Sequence, residues 1–347
     1  MTEPQVLRRE FSLWSAFAFA FAFISPIVAL YGIFGLALSA AGPSFWWGFT
    51  LVFAGQFLVA LVFAMLVSRW PLEGSIYQWS RRLLGTTYGW FAGWAYMWTL
   101  VIAMATVALG AAGFTANIFG IEEPSGTTLA LIALVILLAG TAVNLAGRQA
   151  LKIFMIGSII AEVIGSVVLG TWLLLFHRQN SLSVLFSGGG ADTDTLAYLT
   201  GPFMLAVAFI GWSFVGFESA GSIAEEVHEP RRYLPKAVLF SLAFIFVVVA
   251  YSSLAIILAI PDLDAVAAGA VADPVYETLT TALGHGVARP VEVMFVIGFL
   301  ASFLALQTSA SRVIWAYARD GGLPAAGALA QLRGPAASRW WPSASPR

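Results

Sequence analysis

The sequence predicts an all-α integral membrane protein, and three observations carry that prediction. Apolar residues make up 60% of the 347 and charged residues only 10%, where a soluble domain has about 25% charged. So few polar groups cannot cover the surface of a water-soluble fold of this size. The apolar residues also gather into eight long runs, and about 20 residues suffice for a helix to cross a ~30 Å hydrocarbon core. The 33 glycines and 15 prolines are too few for a collagen-like or disordered chain.

The same counts bound the function. A net charge of −1 gives no broad basic field, so no nucleic-acid partner is expected. The chain has no cysteine, which removes disulfides and thiolate metal sites. His177, His228 and His285 fall in predicted loops far apart in sequence, so neither a metal nor any other cofactor is expected. No nucleophile–base pair and no phosphate loop is present, and the chain is not expected to be an enzyme.

The spans run roughly over 11–39, 45–68, 87–118, 128–146, 150–176, 200–222, 236–260 and 291–317. Span one follows Arg8-Arg9 and ends near Ser39-Ala40-Ala41, which has the look of a secretion signal. Its apolar run from Phe11 to Ala41 far exceeds the roughly 7–15 residues of a signal core, so it reads as a retained helix. The alternation of Phe17, Phe19, Phe21 and Phe23 has the period of a strand. Its setting in an uninterrupted apolar run decides for helix. Spans three and five carry small residues at four-residue spacing, Gly85, Gly89 and Gly93, then Gly157, Ala161 and Gly165. Such stripes predict close helix packing.

Lysine and arginine favour the cytoplasmic face. With the N-terminus inside, 15 of the 17 basic residues lie on that side and only Arg178 and Arg289 face outward. The acidic outer segments, Glu122-Glu123, Asp192 with Asp194, and Asp262 through Glu277, agree. The expected location is the cell membrane, multi-pass, with a cytoplasmic N-terminus and the lipid bilayer as surroundings.

Two spans contain interruptions that a plain anchor does not need. Span one has Ser25-Pro26 near its middle; span six has Gly211-Trp212-Ser213-Phe214-Val215-Gly216. Proline removes a backbone donor and glycine relaxes the helix. Backbone groups freed at that depth are costly unless they line a cavity or bind something. For each break alone, a kink satisfied by neighbouring helices is the bland alternative. The pair says more. Spans one and six are five apart, so they cross in opposite directions, the arrangement of a secondary transporter's substrate site. Half-helix N-termini suit a carboxylate, and exposed carbonyls suit an ammonium. The expected ligand is therefore a zwitterionic amino acid.

Four segments carry a family resemblance. They are Ser25-Pro26 through Gly35 with Ala41-Gly42-Pro43 and Trp46-Trp47-Gly48; Arg69-Trp70-Pro71-Leu72-Glu73-Gly74-Ser75-Ile76-Tyr77-Gln78-Trp79; Trp212 through Ala220 with Glu225-Glu226, Pro230 and Pro235; and Ser311-Arg312 through Pro324. Across residues 11–324 the chain resembles the amino acid–polyamine–organocation permeases, which implies the inverted-repeat fold of the bacterial leucine transporter. The third segment looks like that of the arginine/agmatine antiporter branch. By that resemblance Trp212 is a gating residue that stacks on the substrate, and Glu218 a buried carboxylate linked to gating. Ser25, Pro26, Ile27 and Val28 in span one, and Ile210, Gly211, Trp212, Ser213, Phe214 and Gly216 in span six, would surround the substrate. Ser-Pro-Ile-Val stands in span one where the superfamily commonly has glycines.

A carboxylate at the bilayer centre costs about 2.5–3.5 kcal/mol and usually faces a cavity. Glu162 lies mid-span five and Glu218 in the lower half of span six. Either is a candidate to couple a proton to substrate movement; for Glu162 a hydrogen-bonded packing role is the alternative. Glu225, Glu226, Glu229, Arg231, Arg232 and Lys236 cluster at the inner end of span six. Most such charges are solvated; the resemblance adds an inner gate with Arg69, Arg81 or Arg82.

Spans one to five form one repeat of the permease domain, 1–324, and spans six to eight only part of the second. Residues 325–347 form an atypical tail, rich in Ala, Pro, Arg and Ser, that looks like a shifted frame or an early stop. The expected function is secondary active transport of an amino acid or related amine by alternating access, with symport and exchange both open. The alternative is a truncated fragment that does not transport and has at most a binding or regulatory role.

Overall fold

The computed structural model describes residues 9–121, 123–187, 194–271 and 273–331. Arg8, Glu122 and Asp192, named above, and Arg333, Arg339 and Arg347, counted there among the basic residues, lie outside these, as does most of the tail. Eight helical segments among the described residues are long and apolar enough to cross a membrane, and no strand longer than an isolated bridge accompanies them.

Span one is two helices, α1 (Leu13–Ile24) and α2 (Pro26–Ala41), meeting at Ser25. The phenylalanine alternation is helical, as its apolar setting predicts. Ser12 and Ser15 form a capping box that starts α1. Span two is α3 (Trp47–Arg69), entered through a short turn at Pro43–Trp46. An amphipathic helix, α4 (Ile76–Leu84), follows, and it was not expected from the sequence. It is too short to cross and lies against span three, α5 (Thr86–Ile118). The first glycine stripe serves this contact. A Cβ on Gly89 would lie 2.6 Å from the Arg81 backbone, and one on Gly93 2.6 Å from the Tyr77 ring.

Span four is α6 (Gly126–Leu145), and span five is α7 (Arg148–Glu162) continued through a π-helical turn, Val163–Val168, into α8 (Leu169–Phe176). Span six is built from α9 (Thr195–Thr200), α10 (Pro202–Trp212), an interruption, and a 3₁₀ run at Phe217–Glu226. Span seven is α11 (Pro230–Ala259), which starts six residues before the expected 236 because Pro230 fits the first helical turn. Two short helices, α12 (Leu263–Ala267) and α13 (Pro274–Leu283), lead to span eight, α14 (His285–Arg319). His285 thus begins a helix and does not lie in a loop, and Pro290 sits within the early turns of α14.

Burial separates centre from rim where hydropathy cannot. Span one is 83% buried in its most apolar window, while span four, equally apolar, is 11% buried. The rest of span four meets lipid, which is as apolar as its side chains. α1 packs between α11 and α14, and α14 runs along α5. The broken span therefore stands at the centre of the bundle.

Hydrogen bonds tie the loops into two ends. At one end Phe11 N donates to Glu226 O (3.0 Å), Arg319 pairs with Glu225 (3.0 Å) and Arg81 pairs with Asp320. At the other, Trp47 Nε1 donates to Leu185 O (3.1 Å) and Asn180 Nδ2 to Ile260 O (2.8 Å). Arg9, Arg69, Arg81, Arg82 and the span-six cluster share the first end.

Candidate functional site

Ser25 makes the first break. It stands at φ 50°, a positive value rare for a side-chain-bearing residue. Its N–H still closes α1 on Phe21 O (2.8 Å), while its hydroxyl oxygen accepts from Val28 N (3.2 Å) and so caps α2. Pro26 occupies the first position of α2, where a missing N–H leaves nothing unpaired. The next donor, Ile27 N, is taken by a side chain 135 residues away: it donates to Glu162 Oε2 at 2.9 Å. The Ser25 hydroxyl donates to Glu162 Oε1. Glu162, at the end of α7, is only 1% exposed. Gly298 on α14 leaves it room, since a Cβ there would sit 3.0 Å from Oε1. The π turn begins at the next residue, a kind of bulge that recurs at functional sites.

Gly216 makes the second break, at φ 122°. Phe23, two residues before Ser25, lies against it, so the two breaks meet. Glu218 closes this one from within. Its Oε2 accepts from Gly216 N (3.1 Å), and its Oε1 accepts from the Tyr96 hydroxyl of α5 (3.1 Å). The Ser75 hydroxyl donates to Glu218 O at 3.0 Å, joining the loop before α4 to the break. Tyr96 and Gly298 escaped the sequence reading, and Ser75 entered it only within a family segment, because only the fold brings them to the breaks.

Between the breaks lies a cavity of about 40 Å³, lined by Phe23, Ile24, Val28, Ala103, Val107, Trp212, Val215, Ser302 and Leu306. That is room for a water molecule or two, so a larger ligand enters only as side chains move. The lining is apolar except for Ser302, whose hydroxyl donates to Phe23 O (2.8 Å). Two larger grooves, of about 370 and 540 Å³, lie at helix ends among lipid-facing side chains such as Phe186 and Trp14. They do not touch either break.

Of the residues singled out in the sequence, Val28 and Trp212 line the cavity. Ser25 and Ile27 turn to Glu162. Ser213 reaches the Ala29 carbonyl at 3.5 Å. Ile210 points at Gly48 on α3, and Phe214 packs among Phe49, Phe53 and Phe246. Both face the bundle and not the cavity. Ala103, Val107, Ser302 and Leu306, from spans three and eight, complete the lining; in sequence they are ordinary helix residues.

At the end of the bundle where span six finishes, Glu225 and Glu226 pair with span eight and Glu229 with Arg232, and among the described residues none of the three pairs with Arg69, Arg81 or Arg82. Glu226 meets Arg312 (2.9 Å) and Glu225 meets Arg319 (3.0 Å), while Arg81 pairs with Asp320, which also accepts from Gln78 Nε2 (2.9 Å) and the Tyr77 hydroxyl (3.2 Å). The reason is reach: α14 runs past the 3₁₀ segment, whereas Arg81 turns toward the end of α14. Burial, and then Asp320, push the Tyr77 phenol up to about 12.

Comparison with known proteins agrees with this architecture. The chain matches the family described as amino acid permease over residues 11–342. It is 28% identical to an uncharacterised transporter of Mycobacterium tuberculosis, over 92% of this chain and 68% of that one. It is 28% identical to the methylthioribose transporter of Bacillus subtilis, over 83% of this chain and 62% of that protein. To a branched-chain amino acid permease of Lactococcus lactis it is 26% identical, over 83% and 64%. The chain thus spans about two thirds of the length of the relatives it matches.

Proposed function

This chain belongs to the amino acid permease family, and we propose that it carries an amino acid or related amine across the cell membrane by alternating access. The observation that carries the reading is the cavity between two opposed helix breaks, closed by Trp212 and Val215 on one side and by Val28 and Phe23 on the other. Secondary transporters bind substrate at such mid-membrane interruptions. The cavity's apolar walls suit an aliphatic side chain, which is in keeping with the branched-chain permease among the relatives. Trp212 supplies a face for dispersion or cation–π contact worth roughly 0.5–2 kcal/mol. Glu218, bonded to the second break and to Tyr96, and Glu162, bonded to the first, are the candidates for proton coupling. Both change their bonding if the breaks rearrange. The basic residues gathered at one end support a cytoplasmic N-terminus.

The test is uptake of labelled branched-chain amino acids and their amines into proteoliposomes holding the full chain, with and without an inward proton gradient. Saturable uptake is expected. Trp212→Ala is expected to raise the half-saturation concentration roughly 2- to 30-fold. Absence of saturable uptake from folded protein refutes transport and favours the reading of a chain that binds without transporting.

A further inference from the structure

The N-terminus of α2 is where a half-helix dipole would receive a ligand's carboxylate, yet its donors are already engaged. Pro26 has none; Ile27 N donates to Glu162, Val28 N to the Ser25 hydroxyl, and Ala29 N to Ser25 O (2.9 Å). The group on Ile27 is itself a carboxylate, 1% exposed, brought from another span and accommodated by a glycine on a third. At the second break Glu218 likewise takes Gly216 N. No lysine or arginine lines the cavity between them.

We infer that Glu162 is a specificity-determining residue, an internal competitor that occupies the anion position at the α2 N-terminus through Ile27 N and the Ser25 hydroxyl. The inference rests on the transport site proposed above and deepens it. A ligand carboxylate gains the Ile27 donor only by displacing Glu162, and a buried carboxylate losing its donors is strongly disfavoured. The chain's own carboxylate therefore cancels most of the advantage that an amino acid holds over the amine of the same side chain. Removing Glu162 restores that advantage.

The experiment uses the full chain in lipid nanodiscs and two probe pairs. The first pair is valine and isobutylamine, identical but for the carboxylate. The Glu162→Ala variant is expected to shift the valine-to-isobutylamine affinity ratio toward valine by at least about tenfold. Glu162→Gln keeps an acceptor for Ile27 N and is expected to shift it far less. Gly298→Ala crowds the carboxylate from the far side and is expected to shift the ratio in the same direction as Glu162→Ala, which keeps the test alive if that variant does not fold. An unchanged or lowered ratio in both Glu162→Ala and Gly298→Ala overturns the inference. The second probe is acetate alone, compared with chloride at equal ionic strength. Acetate is expected to raise the melting temperature of Glu162→Ala and not of the wild type or Glu162→Gln; equal effects on all three overturn the inference. If valine and isobutylamine bind to no form of the protein, the transport reading fails while the acetate result still decides the role of Glu162.

Discussion

At Gly216 the backbone stands at φ 122°, and a Cβ added there would lie 2.3 Å from the Phe23 ring. The substitution Gly216→Ala thus meets both backbone strain and a clash with the other break. It is expected to destabilise the fold by about 2–4 kcal/mol and to abolish uptake, as thermal unfolding and transport assays on the same preparation will reveal. Glu218 sits two residues on and closes the break with its own carboxylate. Glu218→Gln keeps a hydrogen-bonding group of the same shape but holds no exchangeable charge. It is expected to leave substrate binding in place and to flatten the pH dependence of uptake; full pH dependence in the variant removes Glu218 from proton coupling. Trp212 and Val28 were legible in the sequence as neighbours of a break. Glu162 was legible as an expensive intramembrane charge but not as the partner of Ile27, since 135 residues separate them and only tertiary packing joins them.

The broken helices were legible because Pro26 and the glycines of span six are local signals, and backbone geometry obeys local chemistry. Helix α4 was not, because its nine residues are too short and too polar to register as a span. It nonetheless forms a latch at one end of the bundle, holding Asp320 through Tyr77, Gln78 and Arg81. Just before it, Glu73 is 1% exposed, and neither of its carboxylate oxygens meets a hydrogen-bond partner among the described residues. Burial, then Glu226 and Glu225, push its carboxyl well above the ordinary 4.5, against the opposing pull of Arg312 and Arg319. The sign follows from linkage. The native state holds this proton more tightly than the unfolded chain does, so at low pH Glu73 carries no ionisation cost. Its cost grows as pH rises above 4.5 toward the raised native value. Glu73→Gln is therefore expected to stabilise the protein by about 1–3 kcal/mol at roughly pH 8 and hardly at all at roughly pH 4. Thermal melts at the two pH values measure the difference. Equal melting shifts at both would mean that folding does not raise the Glu73 carboxyl.

At the scale of the whole molecule, the spans were legible and their arrangement was not. Hydropathy gives eight crossings, but lipid-facing and buried spans are equally apolar, so the central place of span one emerges only from packing. Orientation rests on charge. Arg9, Arg69, Arg81, Arg82, Arg231, Arg232, Lys236, Arg312 and Arg319 gather at one end of the bundle, while Arg178 and Arg289 lie at the other. Because the natural chain contains no cysteine, a single introduced thiol reports its own side without background. Arg82→Cys, on the exposed face of α4, is expected to resist a membrane-impermeant maleimide in intact cells and to react after permeabilisation. Glu123→Cys, in the loop before α6, is expected to react in intact cells. Together the two labels fix the hand of the bundle. The reverse pattern would put the basic end outside, and with it the latch of Asp320, Tyr77, Gln78 and Arg81. The same two sites bear on alternating access. The latch ties α4 to the end of α14, so the transport proposed above, if it opens the bundle at this end, parts Arg81 from Asp320. Labelling of Arg82→Cys in opened membranes is then expected to quicken when substrate is added, and a rate indifferent to substrate would detach the latch from the transport cycle.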